Sequence, residues 1–313
     1  MHTYRRVVCA FGETFEPGPS ADRLACLVDC AAMSDVPAVS MLWERIDAGE
    51  RLAKRFGFPG PHDASEWIAN TLERHWGLAV VGCDRLVMSD WNVMAWIRTD
   101  DQRLIAKWSA FPPVFARLRR SARVTEWLET RGVPVAPPIR ALDGRTVIEL
   151  GNRFKGRTRA HLPLPGSRFL LGVLPEIEGD LLDIGDPAQV RDAARTLAAL
   201  HEALAACPER RPPRAGAAQQ LVHNDFRSAN ILHDGTRVTA VLDFEEVTYS
   251  TRLADLAKAM VFLGTRYHDW SPTPEKVRRA FLSAYEDLAP LTSAERQDLD
   301  ECIAAALTKL GRS

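Results

Sequence analysis

The chain has 313 residues, 46% of them hydrophobic, and a formal net charge of -1. That length and apolar content suffice for a large core and suggest two domains or lobes. The near-neutral balance excludes wholesale nucleic-acid binding through a basic surface, so function has to be read from local sites.

The first residues carry Arg5 and Arg6 but only a brief apolar run before Gly12, too short for a signal-peptide core. No run of about 18 uncharged apolar residues follows anywhere, so no membrane span is expected. The cysteines at 9, 26, 30, 83, 207 and 302 form no CxxC pair. They read as reduced thiols of a cytoplasmic protein. Residues 1–60 are an N-terminal extension to which no chemistry attaches. Within it, "AVSMLWERIDAGERLAKRFGF" has helical spacing and "GFPGP" stops it.

From Asp63 the pattern sharpens. "DASEWIANTLERHWG" predicts a helix with Asp63 as N-cap, Glu66 completing a capping box, and Gly77 closing it. "DRLVMSDWNVMAWIRTDD" and "QRLIAKWSAF" read as two strands joined by "TDDQ", with Lys107 late in the second. "PPVFARLRRSARVTEWLETRG" is a helix with proline at its entry and Gly132 at its exit. "RTVIEL" and "RFLLGVL" are further strands, separated by a basic, Gly/Pro-rich loop carrying Arg153, Lys155, Arg157 and Arg159. These elements form a small, mostly antiparallel lobe with one packed helix. After "EIEGD" the chain turns helical, beginning with the amphipathic "PAQVRDAARTLAALHEAL".

The chemistry concentrates in "LVHNDFRSANILHDGTRVTAVLDFEEV". A short strand, a polar loop, a hairpin turn at "HDG" and a strand ending on Asp243 would gather Asp225, Asn230 and Asp243. Asn230 and Asp243 are hard oxygen donors of the kind Mg²⁺ takes alongside water and phosphate. Asp225 is then free to accept a proton from an attacking hydroxyl. His223 reads as a structural hydrogen-bonding group, and His201 as a semi-buried one. A polar loop with caps and turns is the alternative, but it would not require Asp243 to end an apolar strand.

The spacing His223-x-Asp225-x-x-x-x-Asn230, then Asp243-Phe244-Glu245, then Asp255-Leu256-Ala257 resembles the aminoglycoside phosphotransferase/choline kinase-type superfamily of small-molecule kinases. The resemblance runs from about Asp63 to Leu291. It implies an α+β, two-lobed protein kinase-like fold with a small antiparallel-sheet N-lobe and a larger, mainly helical C-lobe. The ATP-binding lobe would span 61–175 and the helical lobe, with the catalytic and metal loops, 176–313. The resemblance further implies transfer of the γ-phosphate of ATP (or GTP) with Mg²⁺ to a hydroxyl of a small molecule, by a monomer or homodimer.

Carried over by residue, the resemblance implies that Asp225 is the catalytic base or the carboxylate that positions the hydroxyl, and that Asn230 and Asp243 are the metal ligands. Lys107 meets the α/β-phosphates, and Ser89 and Asn92 lie at the phosphate-covering turn. Gly172, Val173 and Leu174 are hinge backbone for the adenine, and His223 and Asp255 brace the loop. Glu245 and Glu246, with Glu176, Glu178 and Asp180, could form an acidic rim for a cationic substrate, or simply a solvated acidic surface.

Two departures stand out. The covering turn has no glycine. Ser121 falls where the family places the helix glutamate that pairs with the strand lysine, and Glu126 and Glu129 are out of register with it. These departures support an alternative, a catalytically weak or inactive nucleotide-binding protein. A protein kinase is a further alternative, but the twelve positions from Asp243 to Asp255 leave no room for a long regulated activation segment.

Overall fold

The structure, a computed structural model, describes residues 36–151, 168–209 and 219–311. The basic run Arg153–Arg159 and Cys9, Cys26 and Cys30 lie outside the described residues. Cys83, Cys207 and Cys302 are free thiols. Among the described residues no helix is long and apolar enough to cross a membrane.

The first lobe is built on a six-stranded sheet of order β1-β2-β3-β4-β6-β5. Its strands are β1 (Ala38–Met41), β2 (Gly82–Met88), β3 (Asn92–Arg98), β4 (Arg103–Ser109), β5 (Val147–Gly151) and β6 (Arg168–Pro175). All pairings are antiparallel except β1 on β2, which is parallel. Alternation sorts the faces. Leu104, Ala106 and Trp108 of β4 enter the core, together with Val93, Ala95 and Ile97 of β3. Helix α1 (Ala48–Phe56) and helix α2 (Pro61–Trp76) cover that face with Leu52, Phe56, Ile68, Leu72 and Trp76. Phe58, Trp67, Trp108 and Phe169 form an aromatic cluster there, with centroids 5.2 to 6.3 Å apart.

Several sequence expectations change. The helix expected over the whole of "AVSMLWERIDAGERLAKRFGF" is confined to α1, and Ala38–Met41 is an edge strand. Residues 36–58 thus pack onto the first lobe. Helix α2 begins at Pro61 with Gly60 at its N-cap and no side-chain cap, so Asp63 sits in the first turn instead. Pro61 explains this, because its fixed φ suits the first helical position. Gly77 closes α2 at φ 69, as expected. The segment read as one strand from Asp84 is a hairpin, β2 and β3, turning at residues 89–91.

Helix α3 (Phe115–Thr130) does not belong to the small lobe alone. Val124 and Leu128 join the core of the second lobe, and Trp127 Nε1 donates to Ala203 O at 3.0 Å. That second lobe holds β7 (Asp180–Leu181), α4 (Pro187–Ala205), β8 (Gln220–Val222), β9 (Ile231–His233), β10 (Val238–Val241) and β11 (Thr248–Ser250). Helices α5 (Arg252–Phe262), α6 (Glu275–Glu286) and α7 (Ser293–Leu310) complete it. Helix α4 packs on α6 and α5 on α7. The fold is α+β and two-lobed, with the strands of the second lobe confined to the ladders β10-β9-β7 and β11-β8.

The chain leaves the sheet at Glu176, whose N–H donates to Arg103 O at 3.0 Å. Gly179 then passes close under the second lobe at φ 147. A Cβ there would meet Thr239 Oγ1 at 2.7 Å and the backbone of His233 at 3.2 Å, so only glycine fits this crossing.

Candidate active site

A cleft of about 1460 Å³ opens between the lobes. The β-strand alternation that buries Leu104, Ala106 and Trp108 turns Ile105 and Lys107 toward this cleft, along with Asn92, Met94, Trp96 and Arg98 of β3. Lys107 crosses to the second lobe. Its Nζ lies 3.4 Å from Asp243 Oδ1 and makes a close ion pair with Glu245. Burial works against the ammonium charge, but Asp243 and Glu245 more than offset it, so its pKa lies above the ordinary lysine value.

The loop after β8 is tied together by its own polar groups. Asn230 Nδ2 donates to Asp225 O at 2.9 Å and to Asp225 Oδ2 at 2.7 Å. With the amide hydrogens directed at Asp225, Oδ1 is the Asn230 atom suited to a cation. Leu242 N–H donates to Asn230 O at 2.8 Å, which sets Asp243 beside Asn230. Strand β10 stops at Val241, two residues earlier than the sequence suggests, and Asp243 takes a left-handed conformation at φ 59. Among the described residues, Asn224 is the other non-glycine residue with positive φ, at 65. Both flank the carboxylates of the site, where tightly determined backbone is common. Burial would raise the Asp243 pKa, but the Lys107 ammonium pulls it below the usual carboxylate value.

His223 is fully buried. Its Nδ1 accepts from Asp225 N–H at 3.1 Å, so Nε2 carries the proton and donates to Leu242 O at 3.0 Å. The ring therefore bridges the Asp225 loop and the Asp243 segment as a neutral imidazole, and burial holds its pKa below the ordinary value. Asp255 Oδ1 accepts from Asn224 N–H at 2.8 Å, and Oδ2 lies 3.0 Å from His201 Nε2. His201 Nδ1 in turn meets the Tyr285 hydroxyl at 2.7 Å. His201 is thus part of the brace behind the loop, a role its helix position alone did not reveal.

Removing this brace should be costly. Asp255→Ala leaves two buried partners unsatisfied and is expected to lower stability by about 3 kcal/mol, at roughly 1–3 per orphaned group, as measured by denaturant unfolding. Burial raises the Asp255 pKa, but His201 and the Asn224 N–H bring the net value below the ordinary 3.8. Its contribution is therefore fully present above that value and is lost as pH falls through the lower folded value. The stability difference between wild type and Asp255→Ala should shrink in acid.

Ser89 and Asn92 sit at the anticipated turn and line the cleft. Ser89 Oγ accepts from Asn92 N–H at 3.2 Å and Trp91 N–H at 3.4 Å, so the hydroxyl holds the turn itself. Asp90 N–H donates to Glu44 Oε1 at 3.0 Å, and Arg55 lies 4.6 Å over the Trp91 ring. Side chains from the N-terminal segment thus support a turn that lacks glycine. Asn92 Nδ2 donates to both Glu245 oxygens at 3.1 Å. Gly172, Val173 and Leu174 lie within β6, opposite Lys107, Ala106 and Ile105. Gly172 and Leu174 line the cleft, whereas Val173 is buried and its carbonyl accepts from Ile139 N–H at 2.8 Å. The next stretch beyond β6, residues 176–179, also lines the cleft.

Glu245 and Glu246 do not form a free acidic rim. Glu245 is held by Lys107 and Asn92, Glu246 pairs with Arg117, and Glu176 pairs with Arg103 at 2.6 Å. Helix α3 presents Ser121 and Arg117 to the cleft, and Arg117 Nε also donates to Glu245 O at 3.3 Å. Glu126 is paired with Arg140 elsewhere. Relative to the expected helix glutamate, charge at this junction is exchanged: the helix supplies a cation and the loop after β10 supplies the acids. Arg227, which the sequence reading passed over, is buried and contacts Asp225 through Nε at 3.2 Å. Its place two residues after Asp225 on a polar loop was the only available signal.

Comparison with known proteins decides the family. Residues 145–301, half of the chain, match the sequence model described as the phosphotransferase enzyme family. The chain belongs to that family. This phosphotransferase-family chain is 28% identical over 200 residues to a homoserine kinase of Methylobacillus flagellatus, a match covering 54% of the chain and 59% of the relative. The alignment thus spans less than two thirds of that relative's length. Its fold is similar to a microcompartment-associated aminopropanol kinase, at TM-score 0.55 and 17% identity over 76% of this chain and 85% of the other. It is also similar to an amicoumacin kinase, at 0.56 and 12% over 77% and 85%. A macrolide 2'-phosphotransferase of Brachybacterium faecium matches at 0.52 and 18% over 79% and 90%. At these identities the structures speak for the fold, which is the two-lobed kinase-like one expected from the sequence.

Proposed function

We propose that this protein is an ATP-dependent phosphotransferase that moves the γ-phosphoryl group to a hydroxyl of a small molecule. One observation carries the reading: Lys107 of the first lobe meets Asp243 of the second across the cleft, beside a loop whose Asn230 already aims at Asp225. The family membership and the name of the homoserine kinase relative support the same reaction class.

In this reading Lys107 binds the nucleotide phosphates and residues 176–179 pass along the adenine. Asn230 Oδ1 and the Asp243 carboxylate, hard oxygens on segments joined by the Leu242 N–H to Asn230 O bond, suit Mg²⁺ and would hold it. When bound, the ion neutralises charge on the phosphates. Asp225 orients the acceptor hydroxyl and takes its proton as the oxygen attacks phosphorus. The bond from the γ-phosphorus to the bridging oxygen breaks, and ADP leaves with that electron pair. Positioning and charge stabilisation do most of the work, as in other phosphoryl transfers.

Glu245 is the acid that positions Lys107, in place of the missing helix glutamate. It also fastens Asn92 at the covering turn, so one carboxylate links the turn, the lysine and the segment carrying Asp243.

The test is ADP release from MgATP across a panel of hydroxylated amines, amino acids, antibiotics and sugars. Acceptor-dependent ADP release from at least one class is expected. MgATP binding without turnover on any acceptor would favour a non-catalytic nucleotide-binding protein.

A further inference from the structure

The cations around Asp225 point to the charge of the acceptor. Arg227 is 7% exposed, and its Nη1 is buried with no hydrogen-bond partner among the described residues. Its Nε is used by Asp225, and its guanidinium lies 5.1 Å from the ring of Trp270. Lys258 Nζ donates to Asn224 O and, at 3.2 Å, to Asn224 Oδ1, on the residue just before Asp225. Burial lowers its pKa, and Asp225, Arg227 and Lys309 all lie within electrostatic range of it. Neither Arg227 nor Lys258 lines the inter-lobe cleft. They meet Asp225 from the side of α5 and of the segment joining it to α6. Three of the acids anticipated as a cation-binding rim, Glu245, Glu246 and Glu176, are meanwhile held by Lys107, Arg117 and Arg103.

We infer that the acceptor is a hydroxy acid, whose carboxylate or phosphate is taken by Arg227 Nη1 with Lys258 beside it while its hydroxyl faces Asp225. A buried guanidinium nitrogen with no acceptor is a costly feature unless an anion completes it. The fork of Arg227 then serves both ends of the chemistry: Nε holds the Asp225 carboxylate and Nη1 holds the substrate anion. Trp270, 42% exposed, lies over the Arg227 guanidinium. A polycationic acceptor would face Arg227 and Lys258 directly and be repelled. The inference rests on the phosphotransferase reading.

The experiment uses the full chain with MgADP and matched probes: serine against serinamide, homoserine against its amide, glycerate against glycerol, and kanamycin as a polycation. Calorimetry is expected to show at least one acid binding about tenfold or more tighter than its neutral counterpart, and no binding of kanamycin. In Arg227→Gln that preference should collapse toward unity, and Arg227→Lys should restore part of it. Binding of no acid, equal binding of acid and amide, or an unchanged preference in Arg227→Gln would each overturn the inference. So would a loss in Arg227→Gln that falls equally on acceptor-independent ATP hydrolysis, because Arg227 would then serve the transferred phosphoryl group. MgATP binding, titrated separately, reads the phosphotransferase assignment on its own: its absence sinks that reading, whereas its presence without acid preference sinks only this one. Should Arg227→Gln fail to fold, the wild-type preferences and Arg227→Lys still decide.

Discussion

Replacing Asp225 with alanine is expected to reduce phosphoryl transfer by about a hundred- to ten-thousandfold, the range set by losing a positioned general base, while MgATP still binds. The separation follows from the geometry. The substitution leaves Lys107 and Asp243, which line the inter-lobe cleft, in place. The alanine variant also strips Asn230 and Arg227 of a partner, so local disorder has to be distinguished from lost chemistry. Asp225→Asn keeps the size and one acceptor oxygen but removes the basic carboxylate. Both variants should lose kcat with little change in KM for ATP, measured by steady-state ADP release. A variant of either kind with wild-type kcat would remove Asp225 from the mechanism.

The second large effect is expected at Glu245. Glu245→Ala frees Lys107 from its close partner and releases Asn92 from a carboxylate that it contacts through both oxygens. Asp243 would remain as the acid near Lys107 and would be drawn toward it at 3.4 Å. The expected result is a KM for ATP raised by about tenfold or more, with a fall in kcat as well, because charge-assisted contacts are worth about 1.5–3 kcal/mol. Glu245→Gln should fall between, since the amide oxygen can still accept from Lys107 without its charge. Restoring an acid at the helix position, in Ser121→Glu with Glu245→Ala, offers a rescue test. Kinetics unchanged in Glu245→Ala would show that Lys107 needs no such partner.

The loop of Asp225 and Asn230 was legible because its polar residues are close in sequence. His223, Asp225 and Asn230 fall within eight residues, and an apolar strand delivers Asp243 after one hairpin. Lys107 was singled out through the family resemblance, and strand alternation agrees with its turning to the cleft, since its neighbours Ala106 and Trp108 fill the core. The partner of Lys107 was not legible, because it is fixed by a contact spanning the two lobes rather than by spacing on one helix. The bond from Asn92 to Glu245 bridges 153 positions. The edge strand at Ala38–Met41 is four residues long, sits beside a helical sequence, and owes its form to pairing with β2. The apolar run "LGVLP" does not announce whether it stays in the sheet, and only its pairing with β4 shows that it does. The turn at Ser89 gave no glycine signal because its N–H groups are taken by a serine hydroxyl and by Glu44.

The account stands or falls on whether the γ-phosphoryl group of ATP ends on carbon-bound oxygen. Phosphorus NMR of the products formed by the wild-type protein with MgATP and the acceptor panel reads this directly. The account predicts a phosphate monoester resonance split by coupling to protons on carbon, formed in step with ADP and absent with Asp225→Ala. Inorganic phosphate as the sole product across the panel, or a monoester formed equally by Asp225→Ala, would contradict it.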